Sequence, residues 1–182
     1  DLPLRNWQDG SWDQAYAISG QRIAETVFER HTFCFACPIG CGKTVTIDDG
    51  PYAGTRGHGP EYETLSTFGS YCAVSDLAAV SLANQICNEY GVDTIAAGAT
   101  IAFAMECFEK GIINREHTGG LELKFGDAGA MLAALRLMVT GSGPMGQVLA
   151  QGSQRAAHAW GPAAEDCLVT VKGSEAPAHM PQ

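Results

Sequence analysis

The stretch Cys34-Phe-Ala-Cys37-Pro-Ile-Gly-Cys41-Gly holds the residue types best suited to chemistry. Two cysteines separated by two residues chelate one metal centre through a tight turn, and Cys41, four residues further on, reaches another corner. Soft thiolates at this spacing select an iron–sulfur cluster or zinc. Gly40 and Gly42 let the backbone approach inorganic sulfide and aim N–H groups at it, which favours an anionic cluster. A structural zinc site ordinarily adds a second CxxC or a close His pair, and neither is present. A four-iron cluster takes four ligands, and the loop supplies three. Cys87 and Cys107 fall in apolar helical stretches and read as core residues. Cys72 and Cys167 stay open as a fourth ligand, the alternative being a ligand from outside this chain.

The elements that must position this loop are mostly helical. Ser11-Trp12-Asp13 starts a predicted helix to about Arg30, with Ala15, Ile18, Ile23, Val27 and Phe28 near helical spacing. Thr32–Gly42 is too rich in Cys, Gly and Pro for regular structure, Lys43–Ile47 alternates like a short strand, and Gly54–Pro60 reads as loop. Asp76 or Ser75 caps a predicted helix to Tyr90, stopped by Gly91; a second covers about Thr94–Lys110, with Asp93 as its cap. Asp127 caps a third through about Val139, and Pro144 opens a fourth reaching roughly Trp160. The fold class expected is all-α: one multihelical domain over residues 1–182 with an irregular cysteine-bearing loop and room for one short β-hairpin.

Bulk properties narrow the function classes. A chain of 182 residues with 46% hydrophobic residues buries a real core as one domain. Its net charge of −9 argues against nucleic acid, because phosphate binding needs a basic face. No apolar stretch approaches the roughly 20 residues of a membrane span. Seven cysteines, odd in number and clustered, argue against a disulfide framework. No basic, apolar leader opens the chain, so a cytoplasmic location is expected. A start at Asp1 suggests a piece of a longer polypeptide.

Several motifs in sequence order resemble the tungsten-dependent aldehyde:ferredoxin oxidoreductase family. Leu2-Pro3-Leu4-Arg5-Asn6 resembles its L-P-T-R-N, and the CxxCPIxCG loop follows. Gly59-Pro60-Glu61-Tyr62-Glu63-Thr64 is similar to its G-P-E-Y-E-T, and Asn88 to Ile95 resembles D-x-x-G-L-D-T-I. Leu121 to Asp127 resembles L-x-L-x-W-G-D, Leu149 to Gly152 resembles L-A-E-G, and Val171 to Pro177 is like V-K-G-x-E-x-P.

The resemblance implies the helical middle domain of a much longer enzyme, without its N-terminal pterin-binding domain or its C-terminal domain. It implies a tungsten (or molybdenum) bis-pterin centre and a 4Fe–4S cluster, oxidation of a small-molecule aldehyde to a carboxylate or reduction of a related carbonyl compound, and electron transfer to ferredoxin. Cys34, Cys37 and Cys41 would be three cluster ligands, with the fourth in the absent C-terminal region. Asn88, Val92 and Asp93 would line one pterin; Glu61 and Glu63 would approach the metal, Glu63 being preferred as proton acceptor or water-orienting group. Read from the residues alone, Asp93 is a helix cap and the two glutamates are a solvated pair at a helix start.

Departures from the pattern are Asn88 for Asp, Val92 for Leu, and a tail, Pro177 to Gln182, where the family has P-x-H-D-P-R. His58 reads as a loop histidine with a proton relay as its alternative, while His31, His117 and His158 read as surface residues. The alternatives to an enzyme part are a stand-alone iron–sulfur electron-transfer subunit and a zinc-stabilised structural module. As an isolated domain the chain would leave the small-residue stretch Ala73–Ala104 uncovered.

Overall fold

The computed structural model describes residues 2–179. Its centre is α4 (Thr94–Glu109), whose residues from Ala97 to Cys107 are all buried. A helix apolar on every side must be surrounded by other elements. It packs against α3 (Leu77–Tyr90), α5 (Ala128–Thr140) and α7 (Ser153–Trp160). On another side lies α2 (Tyr62–Thr64), continuous with a π-helical segment over Leu65–Ser70. Ala79, Ala83, Ala97, Ala102 and Ala104 are thus interior, so the stretch expected to lie uncovered is mostly the core of this domain. Phe103 stacks on Trp160 with ring centroids 5.6 Å apart.

Local chemistry accounts for the helix ends. Asp76 Oδ1 accepts from the backbone N–H groups of Ala78 (3.0 Å) and Ala79 (3.1 Å). Asp127 Oδ1 accepts from Ala130 N at 2.9 Å. Each satisfies donors that a helix start leaves orphaned. Gly91 takes the left-handed conformation, φ +67°, that closes α3.

Four expectations are corrected. The helix foreseen to Arg30 is a 3-10 turn (Ala15–Ile18) and α1 (Gly20–Thr26), then β1 (Phe28–Thr32). Ser19 restarts the helix by accepting from Arg22 N at 3.1 Å. The β-branched and aromatic residues after Thr26 gain a partner strand, which overrides helical periodicity. Second, the glycine-rich Gly54–Pro60 contains β3 (Arg56–His58), paired with β2 (Gly42–Thr46). A Cβ at Gly57 would lie 2.4 Å from Gln85 Oε1, so glycine lets this strand press onto α3. Third, the helix from Pro144 is two, α6 (Gly143–Leu149) and α7, because Gly152 breaks it at φ +88°.

The fourth concerns fold class. The domain is mainly helical, but among the described residues it also carries an antiparallel sheet in the order β1-β2-β3 and a small hairpin. That hairpin, β4 (Thr170–Val171) and β5 (Ser174–Glu175), turns on Lys172 and Gly173, both with positive φ, behind a short α8 (Pro162–Glu165). A two-residue turn of that kind matches strand twist. The sheet content therefore exceeds the single short hairpin expected of an all-α domain.

Cys87, enclosed in α3, is pushed up to about 12 from a usual 9.0 by burial first and by the charge of Asp93 second. A raised folded value means that the unfolded chain loses its proton first, so stability is intact below pH 9 and falls as pH climbs towards 12. The denaturant midpoint should therefore drop between pH 9 and 11. Cys87→Ala should make that drop shallower, the rest coming from the other buried thiols, Cys72, Cys107 and Cys167, while lowering stability at pH 7 by about 1 kcal/mol; an unchanged alkaline slope would contradict the assignment.

Candidate functional site

The cysteine segment is the tip of a hairpin. Strands β1 and β2 pair with Thr32 opposite Gly42, which leaves residues 33–41 as the loop between them. Cys37 N donates to Cys34 O at 3.0 Å, closing the CxxC as a turn. Cys34 and Cys41 are exposed and Cys37 is half-buried. Phe33, Phe35 and Ile39 project beside them, all exposed. A Cβ at Gly42 would lie 2.4 Å from Thr32 Oγ1 and 3.3 Å from His58 Nε2, so a side chain at the base of the loop would have to displace Thr32. Soft thiols on an accessible turn fit an iron–sulfur cluster or zinc in kind. Among the described residues, however, no three His, Cys, Asp or Glu side chains converge as a metal-binding group.

The other cysteines belong to the interior. Cys72 Sγ donates to Thr67 O (3.4 Å) and Gly98 O (3.8 Å). Cys167 lies 3.6 Å from Lys110 Nζ. Burial raises the thiols of Cys72, Cys87, Cys107 and Cys167, which disfavours the thiolate a metal requires. Cys72 and Cys167, open as ligands on sequence, are core residues here.

The sheet connects the cysteine loop to the glutamates. Strand β3 leads into Gly59-Pro60-Glu61, and Gly59 N donates to Lys43 O at 2.7 Å. Lys43 Nζ, half-buried, stands 3.6 Å from Oε2 of the exposed Glu61, a long and partly solvated pair of small energetic weight. Asn84 Nδ2 donates to His58 O at 2.7 Å, tying β3 to the helix that carries Asn88. His58 Nδ1 faces Gly59 O at 3.0 Å, and His31, His117 and His158 are exposed.

Glu61 and Glu63 differ. Glu61 is exposed, as a solvated residue at a helix start should be. Glu63 is half-buried, and its carboxylate accepts from the backbone N–H groups of Ala178 (2.7 Å) and His179 (3.2 Å) and contacts the His179 ring. Tyr62 packs on that ring at 4.6 Å. No sequence signal joined residues 63 and 178. Residues 180–182, where the tail departs from P-x-H-D-P-R, lie outside the described residues.

Asn88 and Asp93 are exposed and Val92 is half-buried, around the turn between α3 and α4. Asp93 Oδ1 accepts from Ala96 N at 2.7 Å, so its capping role is present. Hydroxyl contacts join this turn to the Glu63 turn: Thr64 Oγ1 lies 2.8 Å from Thr94 Oγ1, and Thr67 Oγ1 donates to Glu63 O (2.9 Å) and Thr94 O (3.1 Å). Val92 also lines a largely apolar cavity with Ala96, Thr100, Met138 and Leu149, of about 230 Å³. The elements that carry the foreseen residues are thus neighbours, although the cysteine thiols and the Asp93 carboxylate share no contact.

The family described as "Aldehyde ferredoxin oxidoreductase, domains 2 & 3" matches residues 1–182. This chain belongs to the aldehyde ferredoxin oxidoreductase family. It is 36% identical over 181 residues to a tungsten-containing aldehyde ferredoxin oxidoreductase of Pyrococcus furiosus, covering 99% of this chain and 29% of that protein. It is 31% identical over 161 residues to an aliphatic sulfonate oxidoreductase, WOR-like subunit, of the same organism, covering 85% of this chain and 24% of the relative. Among solved structures it is similar to the active site complex BamBC of benzoyl coenzyme A reductase, with a TM-score of 0.75 and 26% identity over 96% of this chain and 26% of that one. The chain therefore spans less than a third of the length of these relatives. No helix among the described residues is long and apolar enough to cross a membrane.

Glu63→Gln removes the charge that the two tail amides meet, and a charge-assisted bond of this kind contributes about 1.5–3 kcal/mol. Amide exchange at Ala178 and His179 should accelerate by about an order of magnitude or more, read by NMR, while amides inside α4 keep their rates. Unchanged exchange at both positions would mean that Glu63 does not hold the tail.

Proposed function

We propose that this chain is the iron–sulfur-bearing, pterin-contacting middle domain of a tungsten-dependent oxidoreductase. That enzyme oxidises an aldehyde to a carboxylate, or reduces a related carbonyl compound, and passes electrons to ferredoxin in the cytoplasm. Cys34, Cys37 and Cys41 hold three corners of a 4Fe–4S cluster, and the fourth ligand and the second face of the pterin site come from the remaining domains or subunits. Molybdenum in place of tungsten would use the same residues. The single observation that carries the reading is structural adjacency: the cysteine hairpin, the glutamate turn and the Asn88–Asp93 turn sit on consecutive, mutually bonded elements. The family membership and the tungsten-containing relatives support it.

When bound, the metal–pterin centre supplies oxygen-atom and two-electron chemistry, and the cluster supplies one-electron transfer. Asp93 spends one oxygen on its helix cap and can turn the other towards the N–H edge of a pterin. Asn88 offers an acceptor and an amide donor without charge. Glu63, shielded from bulk solvent by the tail, is suited to orient a water molecule or take its proton. The thiolates of the exposed hairpin loop would hold the cluster, which would supply one-electron transfer where a second protein surface can approach. A stand-alone carrier would need neither the glutamate turn nor the Asn88–Asp93 turn.

Two outcomes test this. Cys34→Ser, Cys37→Ser or Cys41→Ser in the assembled enzyme should each abolish most of the bound iron, whereas Cys87→Ser or Cys107→Ser should cost stability and leave iron per folded molecule unchanged. Equal iron loss in all five, or zinc in place of iron, would sink the cluster assignment. Asp93→Asn retains a good helix cap but loses the charge-assisted acceptor. Tungsten and pterin per folded molecule should fall well before the melting temperature does, and the opposite order would leave Asp93 as a cap alone.

A further inference from the structure

The π-helical segment Leu65–Ser70 contains three buried hydroxyl residues, Ser66, Thr67 and Ser70. Each donates to the carbonyl four residues earlier: Ser66 to Tyr62 (3.0 Å), Thr67 to Glu63 (2.9 Å), Ser70 to Ser66 (3.1 Å). Of these, Thr67 alone also reaches another element. Its single hydroxyl hydrogen is shared between the carbonyl of Glu63 and that of Thr94, the first residue of α4, and Thr67 is fully buried. Thr64, likewise buried, adds the contact between its hydroxyl and that of Thr94.

The approach is close enough to need a glycine. A Cβ at Gly98 would lie 2.6 Å from Thr67 Cβ and 2.8 Å from its carbonyl carbon, so any side chain there would drive α4 off the π segment. Cys72 closes the same seam by donating to the carbonyls of both Thr67 and Gly98. π-helical turns cost regular hydrogen bonding, and they recur where a side chain must be aimed.

We propose that Thr67 is a positioning residue that registers Glu63 against the Asp93 end of α4. The proposal rests on the reading of Glu63 as the proton-handling carboxylate. One hydroxyl links the main chain of Glu63 to the residue after Asp93, and that link sets the spacing of the two carboxylates from within the protein, before any cofactor is bound. A buried hydroxyl whose one hydrogen is shared between Glu63 O and Thr94 O couples a shift of either carbonyl to the other.

The test uses Thr67→Val, which keeps shape and removes the hydroxyl, and Thr67→Ser, which keeps the hydroxyl, in the assembled enzyme. Thr67→Val should lower kcat about tenfold with KM changed less than twofold, the pattern of a group that acts on the transition state. Thr67→Ser should recover kcat to within about twofold. The double variant Glu63→Gln/Thr67→Val should be no slower than Glu63→Gln alone, since Thr67 acts through Glu63. A second readout is independent of turnover: amide exchange at Ala178 and His179, which report where the Glu63 carboxylate sits, should rise about fivefold in Thr67→Val and stay at the parental rate in Thr67→Ser. Equal losses in Val and Ser variants, multiplied effects in the double variant, or unmoved tail amides in Thr67→Val would overturn the inference. Should Glu63→Gln leave kcat intact, the catalytic reading of Glu63 falls, and the exchange measurement still decides whether Thr67 positions it.

Discussion

Helix α4 imposes the constraint on which the rest of the domain depends. Ala97 to Cys107 present no polar face to water, so every side of the helix has to be covered. Small residues let the covering elements come close: Gly98 admits the π segment, and Ala97, Ala99, Ala102 and Ala104 lie buried along the same helix. Close backbone approach raises the number of dispersion contacts and removes room for slippage. The half-buried first turn of α4, with the exposed Asp93 at its cap, is therefore held at one end of a helix enclosed on every side.

Several of the motifs shared with the family serve that packing directly. In the opening run, buried Asn6 donates to Glu106 Oε2 (2.6 Å) and to Cys167 O (2.9 Å), and Arg5 pairs with Glu109 while lying over the Phe125 ring. Glu106 would be a costly buried charge without Asn6 and Lys110, whose Nζ is 2.5 Å away. Glu175, in the V-K-G-x-E run, accepts from Ser153 N (2.8 Å), Ser153 Oγ (2.9 Å) and Thr100 Oγ1 (3.2 Å), which fixes the hairpin β4–β5 to the start of α7. Residues far apart in the chain are stitched to the C-terminal half of α4 on one side and to its middle on the other.

The small sheet has a different task. It buries little beyond Val45 and neighbouring side chains, yet it carries the cysteine loop outward and connects its base to Glu61 and to α3. A loop this exposed gains nothing from core packing, so its order comes from the strands behind it: Gly42 against Thr32 and His58, and the Cys34–Cys37 turn. Exposed aromatic and aliphatic residues accompany the thiols there, while the remaining four cysteines are neutral, buried packing residues.

Much was determined by sequence alone. The caps at Asp76, Asp93 and Asp127 and the glycine stop at Gly91 act within one turn of the chain, so α3, α4 and α5 were legible with their ends. The cysteine spacing and the order of the motifs carried the family, because short-range pattern survives where geometry is hidden. Tertiary structure decided what depends on partners distant in sequence. Phe28–Thr32 is a strand because Lys43–Thr46 lies beside it, and Gly54–Pro60 carries a strand because α3 accepts its glycine face. Cys72 and Cys167 became core residues through neighbours 26 and 57 positions away. Glu63 met its tail amides across 115 residues, and Thr67 met Thr94 across 27. Hydrogen-bond partners at such separations leave no periodicity to read, since they are fixed only when α4 is buried and the elements around it have nowhere else to go.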